Sequence, residues 1–158
     1  MEKKRKGKKE KIVVAVSGGF DPIHVGHVRM FKEAKALGDK LVVILNNDNW
    51  LRKKKQQAFM PEDQRKELIE AMDVVDEVVL TEHPPESEDM SVCSELKKIR
   101  PHIFANGGDR KPNGVPVPEV GVCEELGIKM VYNIGHGGKV QSSSWLLLNY
   151  VKVAKKED

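Results

Sequence analysis

The 158-residue sequence predicts an α/β chain, with five short parallel strands in one sheet and helices on both faces. Three observations carry that prediction. Short β-branched runs alternate along the chain with segments whose apolar residues recur at helical spacing. Most of these runs end in a glycine-rich or polar loop, the punctuation expected where a buried strand leaves a sheet. The composition, 39% hydrophobic and 32% charged with only 5% aromatic residues, suits one soluble domain of this length.

The elements follow in order. Residues 12–16 (IVVAV) read as a buried strand entering the turn Ser17-Gly18-Gly19. Val25, Val28, Phe31, Ala34 and Leu37 keep helical spacing until Gly38-Asp39 stops the helix. Residues 41–45 (LVVIL) form a second strand that runs into polar Asn46-Asn47-Asp48-Asn49, and a basic loop over Arg52–Lys55 follows. Pro61-Glu62-Asp63 opens the next helix, with proline where no amide partner is needed and acids at the positive helix end. Residues 77–80 make a weak third strand, 91–99 a short helix and 102–105 a fourth strand that ends in Asn106-Gly107-Gly108-Asp109. A Pro- and Gly-rich loop over 111–118, a helix over 119–126 stopped by Gly127, and a fifth strand over 129–133 complete the alternation. Gly135-His136-Gly137-Gly138 then forms a loop before Ser142-Ser143-Ser144 and a last helix through Val153. In a sheet of this kind ligands bind beyond the carboxyl ends of the strands, where the polar loops fall.

Charge and cysteine usage narrow the function classes. Residues 1–11 hold seven basic and two acidic side chains, a flexible tail of net charge +5; the body over 12–158 carries 20 basic and 22 acidic residues. That body offers no basic surface for tracking nucleic acid. No apolar run is long enough to span a bilayer, and no signal-peptide pattern follows the charged start. Cys93 and Cys123 are too few and too far apart for a zinc ribbon or a disulfide framework, so the chain reads as cytoplasmic with ordinary thiols.

Chemistry concentrates in Gly18-Gly19-Phe20-Asp21-Pro22-Ile23-His24-Val25-Gly26-His27. Two glycines leave room for a bulky anion near the backbone, and the helix that follows brings positive dipole potential and unpaired amides to the same place. A phosphate is the expected guest. His24 and His27 lie three residues apart on one helix face, with Gly26 removing a side chain between them. Imidazoles so placed donate hydrogen bonds to phosphoryl oxygens as charge gathers in a transition state. His83, His102 and His136 stand in unrelated loops without metal-ligand spacing, which argues against a transition metal. The glycines match neither GxGxxG nor a Walker A sequence.

The segment FDPIHVGH, with the glycines before it, resembles the HxGH signature of the nucleotidylyltransferase superfamily. ALGDKLVVILNND, PEDQRKELIEAM and QSSSW resemble further segments of its cytidylyltransferase-like branch, and NGGDRKP is similar to a stretch of the heptose 1-phosphate adenylyltransferase domain. The resemblance implies a Rossmann-like fold and transfer of AMP or CMP from an NTP to a small phosphorylated metabolite, with Mg²⁺ carried by the NTP phosphates and pyrophosphate released. A sugar 1-phosphate is the leading acceptor; glycerol 3-phosphate and FMN are alternatives, and a non-catalytic nucleotide- or RNA-binding module is the rival from another class. The arginine of the RTEGIST form is missing, which favours ATP over CTP. A homodimer is compatible with this reading.

His24 and His27 take the catalytic role in that resemblance, and Gly18, Gly19, Phe20, Asp21 and Gly26 form the surrounding nucleotide site, Asp21 as a buried organiser of the turn. Arg65 becomes a phosphate or nucleotide contact. One of Lys53, Lys54 and Lys55 closes over the triphosphate. Gly107 permits close approach beside Asp109, whose carboxylate suits a ribose or sugar hydroxyl. Ser142, Ser143 and Ser144 either cap the last helix or offer donors to phosphates.

Overall fold

The computed structural model describes residues 10–107, 118–135 and 142–156. Five parallel strands form one sheet: β1 (Val13–Gly18), β2 (Lys40–Leu45), β3 (Glu77–Leu80), β4 (Ile103–Gly107) and β5 (Lys129–Ile134), in the order β3-β2-β1-β4-β5. The connecting helices are α1 (Val25–Ala36), α2 (Asp48–Lys55), α3 (Glu62–Glu70), α4 (Cys93–Ile99), α5 (Pro118–Leu126) and α6 (Ser143–Lys156). The fold is the expected α/β Rossmann-like sheet. Gly127 ends α5 with φ of +69°, a conformation open to glycine at little cost.

Alternation along the strands divides the core into two layers. Val14 and Val16 of β1, with Leu41, Val43 and Leu45 of β2, pack against Phe31 and Ala34 of α1 and Ile69 of α3. Ala15, Ile44 and Phe104 face the other way, onto Val92, Leu96 of α4 and Cys123 of α5. Burial on both faces explains why these strands read as continuous apolar runs. Phe31 is fully buried, a contribution of roughly 1.5–3 kcal/mol.

Strand order decides where a ligand can enter. From central β1 the chain steps outward to β2 and β3, then crosses back to β4 and β5, so the direction reverses beside β1. The carboxyl ends of β1 and β4 therefore mark the switch point, where a sheet of this kind takes its ligand. Registration keeps that edge level: Gly18 pairs with Leu45, and the Asn46 amide donates to the Gly18 carbonyl at 2.9 Å.

One element departs from the expectation. Asp48, Asn49 and the basic residues that follow form helix α2 rather than a loop. Asn47 caps it by accepting from the Trp50 amide, and Leu51, fully buried, anchors its inner side. Among the described residues no helix is long and apolar enough to cross a membrane. Most of the basic tail, residues 1–9, lies outside the described residues, as do Asp109 and the loop over 136–141.

Candidate active site

The β1–α1 turn is shaped by an aromatic side chain turned inward. Phe20 has φ of +49° and is only 5% exposed, its ring meeting His27 edge-on at 4.9 Å and Phe31 at 5.1 Å. The bare Gly18 makes this possible, since a Cβ there would lie 2.8 Å from Phe20 Cζ. A Cβ on Gly19 would likewise meet Leu51 Cδ2 at 2.9 Å. Both glycines thus serve packing, and Phe20, expected beside the nucleotide, has its side chain in the core.

His24 and His27 form the two ends of a reciprocal cap on α1. His24 Nδ1 accepts from the Gly26 amide at 3.0 Å, and the His24 amide donates to His27 Nδ1 at 3.2 Å. With an N–H aimed at each Nδ1, the neutral rings carry their proton on Nε2, the opposite edge. The rings stack at 3.7 Å between centroids. Burial first, then the neighbouring His24 and the Lys55 charge, pull His27 down to about 3 from its ordinary 6.5. His27 is therefore a neutral N–H donor at physiological pH. The expectation of unpaired amides is corrected here: those of His24, Gly26 and His27 are engaged within the helix start, the last on the His24 carbonyl at 3.0 Å. The imidazole Nε2 edges and the helix dipole are what this helix start presents outward instead.

Arg65 holds the turn from beneath. Its guanidinium is fully buried and donates to the carbonyls of Met60 (2.9 Å), Gly19 (2.8 Å) and Asn46 (2.7 Å) and to Asp48 (2.8 Å). The expected phosphate contact does not fit this geometry, because the planar fork is directed at protein oxygens. Asp21, 2% exposed, accepts from the Phe59 and Met60 amides at 2.6 and 2.7 Å, as an organiser of the turn should. Arginine and aspartate together fasten the signature turn to the segment that leads into α3.

The lysines separate by position on α2. Lys53 donates to the Ser87 carbonyl, and Lys54 lies 5.0 Å over the Trp50 ring. Lys55 is the one whose charge reaches His27. The serines divide their work too. Ser142 caps α6, its hydroxyl accepting from the Trp145 amide at 3.5 Å, while Ser143 Oγ donates to the Pro22 carbonyl at 2.8 Å and Ser144 is exposed. The start of α6 is thereby joined to the signature turn. Gly107 ends β4 beside Met30 of α1, with 3.6 Å between a hypothetical Cβ and Met30 Sδ.

Sequence reasoning missed the polar strap that fixes α2. His83 bridges Thr81 Oγ (2.8 Å) and the Ser91 carbonyl (2.9 Å), Thr81 Oγ accepts from the Asn47 amide, and the Asn47 and Asn49 side chains both donate to the His83 carbonyl. No sequence signal joins these residues, since the contacts reach 34 to 36 positions back to Asn47 and Asn49.

The class is shown by comparison, and the imidazole pair at the start of α1 lies beside the switch point of the parallel sheet. The family model for cytidylyltransferase-like proteins matches residues 15–112, and the chain belongs to that family. It is a nucleotidyltransferase. An FAD synthase of Thermococcus kodakarensis is 42% identical over 111 residues, covering 70% of this chain and 68% of that protein. The bifunctional protein HldE of Pelobacter propionicus is 38% identical over 114 residues, 71% of this chain but 22% of that protein. A crystal structure of a lipopolysaccharide core biosynthesis protein from Thermoplasma volcanium superposes with a TM-score of 0.64 at 28% identity, covering 80% of this chain and 99% of that one.

Proposed function

We propose that this protein adenylylates FMN, transferring AMP from ATP to give FAD and pyrophosphate. The phosphate oxygen of FMN attacks the α-phosphorus, the bond from that phosphorus to the bridging oxygen of the β-phosphate breaks, and pyrophosphate leaves with the electron pair. The observation that carries the transfer step is the stacked pair His24 and His27 at the start of α1, each with a backbone N–H on its Nδ1 and its Nε2 edge turned away from that bond. Donors on the Nε2 edges of the two rings can follow the negative charge as it grows on the triphosphate. The FAD synthase relatives support FMN over the sugar 1-phosphate that leads on motif grounds. The likeness to HldE, together with NGGDRKP, favours a sugar 1-phosphate as the second reading.

Mg²⁺ enters as an ion carried on the triphosphate. Among the described residues no group of three or more His, Cys, Asp or Glu could cage it, and the Asp21 carboxylate is occupied by two amides. The ion would neutralise phosphate charge, while the chain supplies the imidazole donors, the Lys55 field and the fixed turn.

A pyrophosphate-release assay crossing ATP and CTP with FMN, sugar 1-phosphates and glycerol 3-phosphate tests this reading, with FAD followed by chromatography. ATP with FMN should give pyrophosphate and FAD in equal amounts. Turnover with a sugar 1-phosphate and none with FMN contradicts the proposal. His24→Ala and His27→Ala should each lower kcat by about 10² or more.

A further inference from the structure

We infer that Phe20 is a positioning residue for His27: its ring, folded back over Gly18, fixes the imidazole plane and keeps water from its inner side, so that Nε2–H faces the incoming phosphate. Three observations meet in this assignment. Phe20 occupies the left-handed region at φ +49°, which a non-glycine residue adopts only where its surroundings impose it. Its ring stands at 85° to the His27 ring, with centroids 4.9 Å apart, and is braced behind by fully buried Phe31 at 5.1 Å and 73°. Gly18 is closed to any side chain by the same ring, at 2.8 and 2.9 Å from Phe20 Cζ and Cε1. An edge-to-face contact sets ring orientation as well as burial. The His24 amide, donating to Nδ1, fixes the remaining rotation about the His27 side chain.

The electrostatic surroundings agree. Dry packing is the largest cause of the low His27 pKa; His24 on the same helix start and Lys55 on α2 are the charged groups that add to it. Removing the phenyl ring acts on the largest of these and leaves both charged neighbours in place.

The catalytic consequence rests on the proposed transferase reading, but the positioning itself can be read without turnover. In Phe20→Leu the His27 ring signals, followed by NMR against pH, should titrate at least one pH unit higher than in the wild type. The acid limb of the kcat profile should move to higher pH by the same amount as the titration, with KM for ATP nearly unchanged. Gly18→Ala, which must displace the same ring, should move the His27 titration in the same direction. An unshifted His27 titration in folded Phe20→Leu overturns the inference. So does a wild-type His27 that titrates near 6.5, a measurement that stands even if Phe20→Leu does not fold. A shifted titration in a protein with no transferase activity sinks the functional reading and leaves the positioning role intact.

Discussion

Replacing Arg65 by methionine tests the support beneath the site. The guanidinium is fully buried and joins four points: the Gly19 carbonyl in the signature turn, the Asn46 carbonyl after β2, Asp48 on α2 and the Met60 carbonyl before α3. Methionine fills much of the same volume but supplies no donor. Three carbonyls then lose a partner, and Asp48, whose side chain is 15% exposed, loses its counter-charge. Breaking a buried pair from one side costs about 3–5 kcal/mol. At roughly 2–4 °C per kcal/mol for a chain of this size, the melting temperature should fall by roughly 6–20 °C. Urea unfolding followed by circular dichroism measures the loss directly. Arg65→Lys should fall between the two, because a single ammonium cannot span the fork. Asp48→Asn combined with Arg65→Met should cost less than the sum of the single changes. An Arg65→Met protein within about 0.5 kcal/mol of wild type that has lost only ATP affinity would refute the support role and reinstate arginine as a phosphate contact.

Two further outcomes follow from the same geometry. The folded His27 pKa lies near 3, below its ordinary 6.5, so the unfolded chain takes up a proton between those values that the folded chain refuses. Stability from this group is complete above pH 6.5 and falls as pH drops toward 3, by at most about 1.4 kcal/mol per pH unit; urea midpoints at pH 7 and pH 5 should show the decline, and His27→Gln should reduce it. Asp21→Asn places an amide where a carboxylate accepts from Phe59 and Met60, and should cost about 1–3 kcal/mol while also lowering kcat by loosening the turn; unchanged stability would show that those two bonds carry no load.

Most of the sheet was legible because residues buried on both faces leave continuous β-branched runs, as in Val13–Val16 and Leu41–Leu45. The spacing of His24 and His27 was legible for a similar reason: both belong to one helical turn. Helix α2 was hidden because its sequence, DNWLRKKK, has only Trp50 and Leu51 to mark an apolar side, and the helix is secured by tertiary burial of Leu51 and by the Thr81–His83 strap. Arg65 misled because an arginine in the first turn after Pro61 has the pattern of an exposed or ligand-binding side chain; its partners at Gly19 and Asn46 are 46 and 19 residues away. Phe20 reads from sequence as a nucleotide contact because sequence does not reveal a positive φ that folds the ring back over Gly18.

The most direct test of the account is a crystal structure with a non-hydrolysable ATP analogue and FMN. Nε2 of His24 and His27 should each lie about 3 Å from a triphosphate oxygen, with the FMN phosphate in line with the α-phosphorus. Phosphates bound away from the start of α1, or imidazoles whose Nε2 edges turn from them, would contradict it.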